Sequence, residues 1–130
     1  MTLEELKKNL DRTQYVYDDT MLTVLYVALT LGRPLLIEGA AGVGKTEVAK
    51  VMAEALGRPL VRLQCYEGLD ESKALYEWNY QKQLLAIQVN QGQEDRQALT
   101  ESLFSDEYLL ERPLLQSIRS DVPVVLLIDE

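Results

Sequence analysis

Residues 39–46 read Gly-Ala-Ala-Gly-Val-Gly-Lys-Thr: Gly39, four residues, then Gly44, Lys45 and Thr46. That spacing is the phosphate-binding P-loop pattern, and each residue type has a physical task in it. The glycines let the backbone curl with its N–H groups pointing inward, and a helix that begins at Gly44 or Lys45 adds the positive end of its dipole. Lys45 can reach β- and γ-phosphates, and the Thr46 hydroxyl can hold Mg²⁺. The motif itself covers Gly39, Ala40, Ala41, Gly42, Val43, Gly44, Lys45 and Thr46. The plain alternative is a glycine-rich turn that merely carries a lysine. With glycine at roughly 7% of residues in ordinary proteins, such a match by chance in this length has odds on the order of half a percent.

The chain closes with "PVVLLIDE", five apolar residues followed by Asp129 and Glu130. An acid at the C-terminal tip of a strand stands where ligands bind in open α/β sheets, so Asp129 is a candidate to complete a magnesium site with Thr46. Glu130 is a candidate to polarise an attacking water. Taken alone, the two acids are equally the solvated end of a strand. A P-loop upstream favours the chemical reading, because the pair of motifs is far rarer than either one.

These groups need elements to hold them. The sequence "LGRPL" occurs at 31–35 and again at 56–60. Gly32 and Gly57 suit left-handed helix caps, and Pro34 and Pro59 push the chain into extended conformation, so both copies read as helix-to-strand punctuation. The spacing predicts helices over 2–11, 19–31 and 45–56, and strands over 35–38, 60–64 and 124–128. In the third helix Val48, Val51, Met52 and Ala55 fall at i, i+3, i+4 and i+7, one apolar face to lie on a sheet. Strand 35–38, this helix and strand 60–64 would make a right-handed parallel crossover. The last strand, continuously apolar, reads as buried on both faces.

Between Cys65 and Pro123 the pattern is weaker. "SKALYEWNYQKQLLAIQ" mixes strand-like aromatics with a helical stretch from Gln81, "QGQEDRQ" reads as a polar loop, and "YLLERPLLQSIRS" reads as helical, broken or started at Pro113. Trp78 reads as a packing residue, because large aromatics bury most of their area. Cys65 reads as a small buried hydrophobe; there is no histidine to activate it.

Composition bounds the rest. At 130 residues with 47% hydrophobic content, the chain suits one compact domain with a real core. A single cysteine excludes an internal disulfide, the lack of histidine argues against structural zinc, and both fit a reducing, cytoplasmic setting. A net charge of -8 argues against nucleic acid as a partner, so a phosphate site must be built locally. No apolar run approaches the roughly 20 residues that span a bilayer.

The pairing of "GAAGVGKT" with "VVLLIDE" resembles the AAA+ ATPases. "YVYDDTMLTVLYVALTLGRPLLIEG", "LVRLQCYEGLDESKALYEWNYQKQLLAIQ" and "LLERPLLQSIRSD" are similar to the MoxR group within them, closest to members associated with maturation of aerobic CO dehydrogenase. The resemblance implies an α/β fold, a P-loop NTPase three-layer sandwich with a parallel sheet. It implies an N-terminal helix and linker at 1–18 and a partial nucleotide-binding domain at 19–130. It assigns ATP binding to Gly39 through Glu47, Mg²⁺ to Thr46 and Asp129, and catalysis to Lys45 and Glu130. Tyr15 and Tyr17 fall where such proteins carry a linker near the adenine, and packing onto the first helices explains them equally well. An insert is expected between Gln64 and Val124, with Trp78 and Tyr80 in it. The resemblance further implies a hexameric homo-oligomer and a client protein, a molybdenum enzyme or a VWA-domain protein. A fourth-strand polar residue, an arginine finger and a helical lid would lie beyond Glu130. The chain then reads as an N-terminal fragment, inactive by itself. Two other classes compete with the hydrolase: a nucleotide-dependent assembly module, which has no need of Glu130, and a P-loop kinase, which would carry an arginine-rich lid.

Overall fold

The computed structural model describes residues 1–39, 44–92 and 95–130. In chain order its elements are α1 (Leu3–Arg12), α2 (Asp19–Leu31), α3 (Lys45–Leu56), β1 (Leu60–Gln64), α4 (Glu71–Leu75), β2 (Tyr76–Trp78), α5 (Tyr80–Val89), α6 (Arg96–Leu103), a 3₁₀ turn (Asp106–Tyr108), β3 (Leu109–Glu111), α7 (Pro113–Arg119) and β4 (Val125–Asp129). The chain divides into two compact units, residues 1–62 with 120–129, and residues 63–119 with 130.

Short polar side chains start the first two helices. Thr2 and Glu5 form a reciprocal capping box on α1, and the Asp18 carboxylate accepts from the Met21 N–H at 2.7 Å to open α2. α1 turns Leu6 and Leu10 fully inward. They join Leu22 and Leu25 of α2 and Val48, Val51, Met52 and Ala55 of α3 in one core, so the expected apolar face of α3 is the buried one. Tyr15 and Tyr17 pack against this core, as does Ile37.

Both copies of "LGRPL" make the same turn. Gly32 and Gly57 adopt φ +61° and +62°. The Gly57 N–H donates to Glu54 O at 3.1 Å and the Arg58 N–H to Ala53 O at 2.9 Å, while Gly32 and Arg33 repeat the pattern on Leu29 and Ala28. After Gly57 the chain runs extended into β1. After Gly32 it does not: residues 35–38 form no strand, and Leu36 is 81% exposed. An apolar run becomes a strand only through a ladder partner, and among the described residues this sheet has two strands, β1 and β4, running parallel. The crossover expected from 35–38 to 60–64 is therefore not formed. Parallel pairing arises instead between β1 and the distant β4, where the Val125 N–H donates to Pro59 O at 2.9 Å.

β4 also differs from expectation in burial. Val125, Leu127 and Asp129 are half-buried, whereas Leu126 and Ile128 are exposed. α3 packs against β4 and shields alternate residues, so the strand has one covered face rather than two. The result is an α/β fold with a parallel sheet, in keeping with part of a P-loop NTPase core.

The second unit is built around an antiparallel ribbon. β2 pairs with β3 in the register Tyr76↔Glu111, Glu77↔Leu110 and Trp78↔Leu109. Residues 109–111 are thus strand rather than helix, and the helix begins at Pro113, where a missing N–H costs nothing. The stretch from Gln81 is helical as expected, within α5, which Asn79 caps. In "QGQEDRQ", α6 already starts at Arg96, and Gln93 and Glu94 lie outside the described residues. Trp78 is half-buried and meets Phe104 edge-on at 5.2 Å and Tyr76 at 5.7 Å. Cys65 is half-buried rather than a core residue. The buried Gln83 donates from Nε2 to Leu103 O at 2.7 Å, so its amide is satisfied.

Two predictions follow from the first unit. A Cβ on Gly57 would meet nothing within 4 Å, so Gly57→Ala isolates the left-handed backbone cost. Chemical denaturation should show a loss of about 1 to 2 kcal/mol, and an unchanged midpoint would contradict the turn geometry. The Tyr17 hydroxyl donates to Asp11 Oδ1 at 2.5 Å, and this bond to a carboxylate, with burial and the negative charges of Asp11 and Asp19, pushes its pKa from 10.0 up to about 12. A raised pKa favours the folded state below the unfolded value and loses that effect as pH passes the folded one. The stability difference between wild type and Tyr17→Phe should therefore stay constant up to pH 10.0 and close by about pH 12. A difference that persists above that pH would show that the bond to Asp11 is not its source.

Candidate functional site

The core of the first unit carries the first turn of α3 to the end of β4. Gly44 sits just before α3 with φ +86° and supplies no side-chain cap, so the helix's first N–H groups have no side-chain acceptor at its N-cap. A carbonyl-poor, dipole-positive helix start of this kind suits an anion. Ala40, Ala41, Gly42 and Val43 of the predicted cradle lie outside the described residues. At the two ends of that segment, the Lys45 ammonium donates to Gly39 O at 2.7 Å.

Thr46, one residue further, is half-buried. Its Oγ1 donates to Asp129 Oδ2 at 3.4 Å, across 83 positions of sequence. The distance exceeds the 2.5 to 3.0 Å of a strong O–H···O bond. The pair is best described as two oxygens held side by side. The exposed Glu47 lies within 3.9 Å of Lys50, a contact that contributes little. Glu130 follows Asp129 directly and is exposed.

Sequence reasoning passed over Arg62. Burial in β1 alternates: Val61 and Leu63 are buried, while Leu60, Arg62 and Gln64 are exposed. From that exposed row the Arg62 Nη2 approaches Asp129 Oδ2 at 2.5 Å. The signal was present as a lone cation in an apolar strand, but its partner could be known only once β1 was paired with β4.

The donor set fits magnesium. One carboxylate and one hydroxyl, hard oxygen donors from two rigid elements, are what that ion takes from a protein when phosphate oxygens and water complete its octahedron. Among the described residues no group of three or more His, Cys, Asp or Glu could hold a metal by itself, so a softer metal with an all-protein site has no cage here. The Tyr15 and Tyr17 rings are engaged with the core, and the Tyr17 hydroxyl with Asp11.

The AAA domain family (dynein-related subfamily) matches residues 34–107, more than half of the chain. A mitochondrial Lon protease homolog of Phaeodactylum tricornutum is 37% identical over 67 residues, covering 46% of this chain and 8% of that protein. The Lon protease of Leptospira interrogans is 36% identical over 78 residues, covering 55% of this chain and 9% of that protein. The chain thus spans less than a tenth of the length of these curated relatives. No solved structure matches. Among the described residues no helix is long and apolar enough to cross a membrane. With the family's model matching more than half of its length, the chain belongs to the AAA domain family.

Proposed function

We propose that this chain binds ATP with Mg²⁺ and hydrolyses it as part of a AAA-type assembly. The observation that carries the reading is the Thr46 hydroxyl lying against the Asp129 carboxylate, because nothing in local folding requires those two side chains to meet. In this reading Gly39 through Glu47 wrap the phosphates with backbone N–H groups, and Lys45 leaves Gly39 O to donate to the β- and γ-phosphate oxygens. Thr46 and Asp129 hold the metal ion. Magnesium, when bound, neutralises charge on the transferring phosphate. Glu130 accepts a proton from the water that attacks the γ-phosphorus, the bond to the ADP oxygen breaks, and inorganic phosphate leaves.

The finer reading is a MoxR-type, chaperone-like ATPase in the cytoplasm. It would form a hexameric ring and use turnover to remodel or mature a client, a molybdenum enzyme or a VWA-domain protein. What supports it is the resemblance of the 15–39 and 60–88 segments and of the stretch leading to Asp121. The second unit, with its aromatic cluster at Tyr76, Trp78 and Phe104, is where a subgroup-specific contact would reside.

Replacing Lys45 with alanine removes a charge-assisted contact typically worth about 1.5 to 3 kcal/mol. Calorimetry of the full chain with Mg²⁺ should show ATP binding weakened more than about tenfold. Equal affinity in wild type and Lys45→Ala would sink the phosphate-loop reading.

The two acids should separate. Glu130→Gln keeps shape and loses the base, so a filter-binding assay should find ATP retained while phosphate release stops. Asp129→Asn should weaken ATP binding and its magnesium dependence together. Parental hydrolysis by Glu130→Gln would favour the nucleotide-dependent assembly module.

A further inference from the structure

Arg62 and Thr46 converge on one atom. The guanidinium reaches Asp129 Oδ2 from the neighbouring strand, and the hydroxyl reaches the same Oδ2 from α3. A carboxylate has two oxygens and about four lone-pair sites, so this sharing is a matter of placement, not of scarcity. The arginine side chain is 45% exposed and the aspartate 25%, so the pair is neither sealed in the core nor fully in water. Arginine stays charged at any working pH, and here its Nη2 is tied to Asp129 Oδ2.

A cation placed on the oxygen that faces Thr46 stands where a second cation is needed by the proposed function. Resting on that reading, we infer that Arg62 is a positioning residue that competes with magnesium for Asp129 Oδ2. In the ion-free protein it aims the carboxylate at Thr46 and neutralises it. When the ion is held, Oδ2 is given up, and a fixed positive charge beside a divalent one is unfavourable, so the guanidinium must turn outward into solvent. The exposed row of β1 leaves it room to do so. Arg62 therefore costs the site magnesium affinity while keeping the site assembled without metal.

The test uses the full chain with ADP, which is not turned over, and Mn²⁺ titrated in place of Mg²⁺ with the free ion followed by electron paramagnetic resonance. Arg62→Gln should lower the half-saturating Mn²⁺ concentration about fivefold, the equivalent of a partly exposed ion pair of about 1 kcal/mol. Arg62→Lys keeps the charge without the fork and should lower it by a smaller factor. In EDTA without nucleotide the order reverses: Arg62→Gln should melt at a lower temperature than wild type, and this difference should vanish in an Asp129→Asn background. Unchanged or weaker Mn²⁺ binding by both Arg62 variants, with wild type binding normally, overturns the competition and leaves the nucleotide reading standing. Failure of the wild type itself to bind Mn²⁺ with ADP overturns the nucleotide reading and the inference with it.

Discussion

The contact between Thr46 and Asp129 is the point on which the structure converges. It joins residues 83 positions apart, at the beginning of a helix and the end of a strand, so it exists only if everything between is placed correctly. The placement has a traceable cause. Val48, Val51, Met52 and Ala55 seat α3 on the core shared with α1 and α2. Gly57 ends α3 in a left-handed turn and delivers Pro59, whose carbonyl receives the Val125 N–H and sets β4 alongside β1. Asp129 then lies at the tip of a strand packed on the helix whose first turn carries Thr46. A change in any of these steps shifts the two oxygens relative to each other.

Electrostatics explain why the site is so local. With a net charge of -8 the chain as a whole repels phosphate, so attraction must come from groups a few ångströms from the ligand. The helix start and the Lys45 ammonium are groups of that kind. Lys45 and Arg62 each rest on an internal acceptor, Gly39 O and Asp129 Oδ2. Both contacts are exposed, so holding these charges in place costs little.

What could be read from the sequence was what depends on neighbours a turn away. The helices of the first unit, the paired left-handed turns of "LGRPL" and the apolar face of α3 are local consequences of spacing and glycine placement. The strand at 35–38 was misread because Pro34 and three apolar residues express a tendency to extend, whereas a strand requires a partner. The stretch around Pro113 was read as helical, broken or started there; the helix does start at Pro113, but the pairing of Leu109–Glu111 with Tyr76–Trp78 is a long-range fact no local pattern announces. β4 was placed correctly, yet its burial was not, since five apolar residues look the same whether one or two faces are covered. In the candidate site, Lys45, Thr46 and Asp129 were visible as motif positions, but Arg62 was not, because only strand pairing identifies its acceptor.

The central claim is that the first turn of α3 and the tip of β4 form one nucleotide and metal site. It is tested most directly by adding Mn²⁺ with ATP to the ¹⁵N-labelled full chain and following paramagnetic broadening of the backbone amides. The account predicts selective loss of the signals of Lys45, Thr46 and Glu47 together with Asp129. Broadening confined to one of the two segments, or spread evenly over the acidic surface, would contradict it.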